Sequence, residues 1–250
     1  MSDPIEDFKA EVRDRLDDNG RDKDFAALSN QWMAKSFGRK YSYNFRAFGR
    51  PIIQYPQDMV AMQELIWDTQ PDFIIETGIA HGGSLIWYAG LLELNAACGG
   101  PKDARILGID IDIRAHNRAE IEKHPLARRI DMIQGSSIDA GVVGQVKEAA
   151  AKYRNIMVIL DSNHTHEHVY EELKAYAPLT SVGNYCVVFD TIVEDIPDDL
   201  HSDRNWGTGD NPKTAVKAYL AEDDRFETVT AIDNKLLISV APEGYLRRTK

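Results

Sequence analysis

Residues Asp72-Phe-Ile-Ile-Glu-Thr-Gly-Ile-Ala-His-Gly-Gly-Ser84 constrain the fold of this chain more than any other stretch. Phe73, Ile74 and Ile75 are too few for a helix and suit a buried parallel strand. Gly78, Gly82 and Gly83 then let the backbone turn tightly and approach a ligand closely. From Ser84 the apolar positions Leu85, Ile86, Trp87, Tyr88, Ala89, Leu91, Leu92 and Leu94 read as a helix. A strand, a glycine loop and a helix N-terminus in that order make a nucleotide-type pocket at the edge of a sheet. The plain alternative is an ordinary glycine-rich turn, because short glycine motifs also match by chance.

Spacing narrows the ligand. The stretch reads Glu76-x-Gly78-x-x-x-Gly82, with neither the G-x-G-x-x-G of dinucleotide sites nor a Lys after the last glycine, so NAD and ATP are both disfavoured. Three further apolar runs also finish on an acid: Arg105–Asp110, Asn155–Asp161 and Asn184–Asp190. In an open parallel sheet such tips share one rim, so Glu76, Asp110, Asp161 and Asp190 predict a site that handles a cation, whether sulfonium, metal or both. Asp110, with Asp112 in reserve, suits ribose hydroxyls, since a carboxylate accepts two hydrogen bonds.

Composition excludes other classes. The chain has 250 residues, enough for one large α/β domain, with 29 basic and 40 acidic residues and a net charge of −11. No basic run offers a nucleic-acid footprint, and small molecules or glycosides fit better. No apolar stretch reaches the ~18 residues of a membrane span, and Met-Ser-Asp-Pro opens no signal peptide, so a soluble cytoplasmic protein is expected. Cys98 and Cys186 are isolated and read as packing residues.

Residues 1 to 36 predict two amphipathic helices separated by Asp17-Asp-Asn-Gly20. Arg39–Arg46 interleaves aromatics with cations, as a substrate lid does, or as a segment packed across the surface or between subunits. A short strand at Ile130–Gln134 leads to Gly135-Ser-Ser-Ile-Asp139, where Ser-Ser-x-Asp reads as a helix N-cap. After Asp161 come His164, His166 and His168. His164 suits a general base, the other two suit the solvated first turn of a helix, and zinc is a weaker reading because the run lacks a distant ligand. The polar loop 194–211 has the length of a lid, with Arg204, Asn205 and Trp206 placed to grip a sugar or acidic substrate. Phe226–Ile232 and Lys235–Val240 around Asp233-Asn234 predict a closing hairpin.

Glu76-x-Gly78-x-x-x-Gly82 resembles the first motif of class I S-adenosylmethionine-dependent methyltransferases. With Ile109-Asp-Ile-Asp112, Leu160-Asp-Ser-Asn-His164 and Tyr185-Cys-Val-Val-Phe-Asp190, the chain resembles the cephalosporin hydroxylase family across about residues 40 to 245. That family consists of O-methyltransferases similar to macrolide-sugar and rhamnosyl O-methyltransferases. The resemblance implies a Rossmann-like, mostly parallel α/β sheet with a C-terminal antiparallel hairpin, spanning 51–250 behind a helical appendage and lid at 1–50. It implies S-adenosyl-L-methionine held by Glu76, Gly78, Ala80, Gly82, Ser84 and Asp110. Ser137 and Asp139 would lie against the adenine, or else Asp139 is only the helix cap.

It further implies Mg²⁺ on Asp161 and Asp190, with His164 as general base toward a hydroxyl of a sugar, glycoside or other small natural product. Metal-dependent relatives carry two adjacent polar ligands where this chain has Phe189-Asp190, so Thr191, Glu194 or Asp195 would supply the missing oxygen. An assembly of identical subunits is expected. Two other readings compete: a cofactor-binding accessory protein without catalysis, which the altered ligand pair suggests, and an NAD-dependent oxidoreductase.

Overall fold

The computed structural model describes residues 3–200 and 202–250; residues 1 and 2, and position 201 within the polar loop, lie outside the described residues. A small antiparallel pair, β1 (Phe45–Ala47) and β2 (Arg50–Ile52), precedes a seven-stranded sheet. The large sheet comprises β3 (Phe73–Thr77), β4 (Arg105–Asp110), β5 (Ile130–Gln134), β6 (Ile156–Leu160), β7 (Tyr185–Val188), β8 (Phe226–Thr228) and β9 (Tyr245–Arg248), in the order β5-β4-β3-β6-β7-β9-β8. β3 through β7 run parallel; β9 runs antiparallel to both β7 and β8. The helices are α1 (Pro4–Arg21), α2 (Lys23–Phe37), α3 (Pro56–Thr69), α4 (Gly83–Ala97), α5 (Ala115–Glu122), α6 (Ala140–Ala150), α7 (His166–Tyr176), α8 (Pro212–Glu222) and α9 (Thr230–Leu236). This is the Rossmann-like, mostly parallel architecture expected.

Strand residues alternate between two cores. Ile74, Ile106, Met157, Ile159 and Val187 pack with α3 and α4, while Phe73, Ile75, Leu107, Val158 and Cys186 pack with α6, α7 and α8. Crossover helices cover both faces, so the strands read as continuous apolar runs rather than as alternating ones. In register, Ile75 lies between Leu107 and Val158. From β3 the chain winds outward through β4 and β5 on one side, and through β6 and β7 on the other. The crevice where the winding reverses is where such sheets take ligands.

Two local expectations are corrected. The first helix does not stop at Asp17–Gly20 but runs to Arg21, with Asp22 capping α2. Its last turn docks on α9, where Asn19 Nδ2 donates to the Asn234 carbonyl at 3.1 Å and Gly20 lies against the Asn234 side chain. This tertiary contact overrides the weak helix propensity of Asn and Gly.

The closing antiparallel pair exists, but its strands are Phe226–Thr228 and Tyr245–Arg248, and Thr230–Leu236 is helical. The segment expected to be the second strand is drawn onto α3 instead. There the buried Asp58 carboxylate accepts from Ser239 Oγ at 2.6 Å, Val240 N at 3.0 Å and Tyr245 Oη at 2.8 Å. Among the described residues no helix is long and apolar enough to cross a membrane.

Candidate active site at the sheet rim

The loop after β3 is shaped by close approach. Gly78 has φ +90°, and a Cβ there would sit 2.0 Å from the Asp161 carbonyl oxygen, so the backbone after β6 lies directly against it. At Gly83 a Cβ would meet the Pro51 carbonyl at 2.1 Å. Arg50 braces the loop from β2: its guanidinium donates to the His81 carbonyl and to Asn117 Oδ1, whose amide donates in turn to the Ala80 carbonyl. Ala80 itself is left-handed, at φ +45°.

Gly78, Ala80 and Ser84 line a small cavity with Asp161, while Gly82 belongs to the turn and packs on Ile121. Glu76 lies behind the loop. It is 1% exposed, is not part of that cavity's lining, and neither carboxyl oxygen has a hydrogen-bond partner among the described residues. Burial pushes its pKa up to about 8; the nearby Ser84 side chain opposes that shift without completing a hydrogen bond, and the Asp110 charge adds to it.

Toward β4 and β5 opens a cavity of about 370 Å³ lined by Gly78, Asp110, Ile111, Ser137, His168 and Trp206 among others. Asp110 anchors the loop as well as facing this space, because Oδ2 accepts from the backbone N–H groups of Ile79 and Ala80. A carboxylate has lone pairs left for ribose hydroxyls after such contacts. Ser137 is in the wall. Asp139 is not: it caps α6 by accepting from Gly141 N at 2.9 Å and Val142 N at 3.1 Å, the alternative foreseen for it.

Asp161, His164 and Asp190 converge where this cavity meets two others of about 210 and 270 Å³. One ligand atom from each lies within 4.8 Å of the others. His164 Nε2 is 3.2 Å from Asp190 Oδ2, and the Trp206 ring meets the imidazole edge-on at 5.5 Å. Asp190 is left-handed, at φ +55°, which Asp tolerates better than most residues and which turns its carboxylate out of the strand line. Burial, followed by the charges of Asp190, Glu76, Glu172 and Asp58, holds the Asp161 carboxyl well above the usual carboxylate range. A bound cation relieves that repulsion. The Asp161 and Asp190 carboxylates fit a divalent ion, because Mg²⁺ typically takes one or two carboxylates and completes its shell with water and substrate oxygens.

Each of the three substitute ligands is engaged elsewhere. Thr191 Oγ1 donates to the Pro242 carbonyl at 2.7 Å. Glu194 accepts from Gly209 N and Asn211 Nδ2, and Asp195 pairs at 2.7 Å with the buried Lys213, which also holds Glu243. Phe189 is 1% exposed in the core beside Ile192, Ile196 and Val240, so its position points away from the rim. His164 is the third member of the cluster, with its Nε2 beside Asp190. Of the remaining histidines, His166 ties α7 to α8 through Asp210 and Thr214, and His168 lines the larger cavity. Sequence reading missed Arg50, Glu172 and Lys213: Arg50 and Lys213 act through partners distant in the chain, and for Glu172 the signal available was its i,i+4 spacing from His168.

A family model described as Rhamnosyl O-methyltransferase/CmcI matches residues 39–249. The chain belongs to this family. Rhamnosyl O-methyltransferase of Mycobacterium tuberculosis is 31% identical over 196 residues, covering 76% of this chain and 73% of that one. Its counterpart from Mycobacterium leprae is 29% identical over 225 residues, covering 86% and 90%. A solved structure of CmcI with Mg and SAM aligns with TM-score 0.55 at 20% identity, covering 83% of this chain and 78% of that one. As a member of the rhamnosyl O-methyltransferase/CmcI family, the chain is an S-adenosylmethionine-dependent O-methyltransferase. The nicotinamide reading does not predict that membership.

Proposed function

We propose that this methyltransferase acts on a hydroxyl of a sugar or glycoside, with the cofactor in the cavity beside Asp110 and the acceptor in the cavities on the far side of His164. The observation that carries this reading is the position of Asp161, His164 and Asp190 at the junction of those spaces. Phe37, Lys40, Tyr43, Arg204 and Trp206 line the acceptor side. Aromatic faces with cations and hydroxyls between them suit a ring that is apolar on its faces and polar at its edges. The relatives' rhamnosyl acceptor supports the same class. On this reading residues 37–43 wall the acceptor, as the lid reading of the N-terminal 50 residues supposes.

S-adenosylmethionine, when bound, supplies a methyl group already activated on a sulfonium. Asp161 and Asp190 would hold a divalent ion, which would supply Lewis-acid polarisation of the acceptor hydroxyl. The remaining work is alignment and proton removal. The Gly78–Gly82 loop and the α4 N-terminus receive the cofactor's amino-acid end, and Asp110 receives ribose hydroxyls. The hydroxyl proton passes to the His164 imidazole, where the Asp190 carboxylate 3.2 Å from Nε2 stabilises the cation formed. Trp206 fixes the ring from its side.

The test is labelled-methyl transfer to a panel of rhamnosides and other glycosides. His164→Ala should lose turnover by about 100-fold with cofactor affinity unchanged; full turnover in that variant removes the base assignment. The proposal extends to a cytoplasmic enzyme, consistent with two unpaired cysteines, and to a homo-oligomer, consistent with Ile5, Phe8, Phe25 and Leu28 exposed on α1 and α2. Light scattering of the purified chain reads the assembly directly.

A further inference from the structure

Behind the wall of the larger cavity lies a polar cluster that the reaction does not use. Glu172, on α7, is completely buried, and its Oε1 accepts from Ser162 Oγ at 2.7 Å. The His168 Nε2 atom sits among three oxygens: Ser137 Oγ at 3.0 Å, Ser162 Oγ at 3.4 Å and Glu172 Oε1 at 3.5 Å. Ser162 has already given its proton to Glu172, so it and the carboxylate both turn lone pairs toward Nε2. That environment places the imidazole proton on Nε2 and leaves Nδ1 as an acceptor. No hydrogen bond to Nδ1 is formed among the described residues, and His168 lines the cavity.

What the acceptor faces follows from the rest of the wall. Ile111, 72% exposed, and the exposed Ala80 offer apolar surface to a flat ring, and Asp110 takes a sugar diol beside them. A purine base seated there presents one strong donor at its edge if it is adenine, the exocyclic amine. Asp139, the side chain of the neighbouring loop otherwise placed to read that amine, is held in the α6 cap.

We propose that His168 Nδ1 accepts a hydrogen bond from the exocyclic amine of the cofactor's adenine, with Glu172 and Ser162 as positioning residues that fix the tautomer. The inference rests on the reading of this cavity as the cofactor half of the site. It makes His168 a base-specificity residue on the helix after β6, remote in sequence from the glycine loop.

The experiment measures binding by calorimetry of S-adenosylhomocysteine and of S-inosylhomocysteine, in which a carbonyl oxygen replaces the amine. Two acceptors then face each other, and wild type should prefer the adenosyl ligand by about tenfold or more. His168→Ala should reduce the preference to about twofold or less, by weakening the adenosyl ligand and relieving the meeting of two acceptors in the inosyl one. Glu172→Gln, which loosens the tautomer while keeping the side-chain volume, should give an intermediate preference. Equal affinities in wild type overturn the proposal without recourse to any variant, as does a full preference retained in His168→Ala. If wild type binds neither ligand, the cofactor reading of the cavity falls, and the proposal with it.

Discussion

Glu76 provides the most direct check on the electrostatics of the rim. Its carboxyl is 1% exposed with both oxygens unpartnered, and its pKa is pushed from 4.5 to about 8, chiefly by burial. The folded value lies above the unfolded one, so the group's contribution to stability is fully present below pH 4.5 and is lost as pH rises through 8. At about 1.4 kcal/mol per pH unit, the loss totals roughly 5 kcal/mol across that window. Glu76→Gln has nearly the same shape and does not titrate. The variant should therefore gain on wild type by about 1.4 kcal/mol per pH unit, or about 3 kcal/mol between pH 5.5 and 7.5.

Urea unfolding of both proteins at pH 5.5, 6.5 and 7.5 measures this, and taking the difference cancels Asp58 and Asp233, whose raised values act in both. A gap that stays constant with pH refutes the assignment of a protonated, buried carboxyl.

Asp190→Asn should lower turnover by about 100-fold and abolish any stimulation by Mg²⁺ while cofactor affinity holds, and an EDTA titration of wild type should reproduce the loss. Gly78→Ala places a methyl group 2.0 Å from the Asp161 carbonyl at a positive φ, so it should cost about 2 to 4 kcal/mol in unfolding experiments. Lys213→Met removes the cation shared by Asp195 and Glu243; because Glu243 is half exposed, the expected loss is about 1 to 3 kcal/mol, less than for a fully buried pair. Trp206→Ala, which frees one side of His164, should raise the acceptor KM more than it changes cofactor affinity, as steady-state kinetics on the best glycoside would show.

The parallel half of the fold was legible because its signals are local. Arg105–Asp110 and Ile130–Gln134 are strands at the boundaries read from the sequence, since short apolar runs bounded by turns leave few other structures open. The C-terminal region was not legible in the same way. Lys235–Val240 has strand composition, yet Asp58, far away in the chain, captures Ser239 and Val240. Residues 245–248 then take the place beside β7.

The site divides along the same line. The sequence alone determined that acids tip several parallel strands and that a glycine loop follows the first, because the end of a short apolar run and its turn residues are written consecutively. Which of those acids meet was decided by tertiary structure. Glu76 turns into the interior, while Asp161, Asp190 and His164 converge; Thr191, Glu194 and Asp195 are claimed by Pro242, Asn211 and Lys213. The direction of a side chain at a strand tip depends on the next one or two backbone angles and on what packs behind it, as the left-handed Asp190 after the buried Phe189 shows. Those quantities are settled by the packed neighbours, and no spacing in the chain records them.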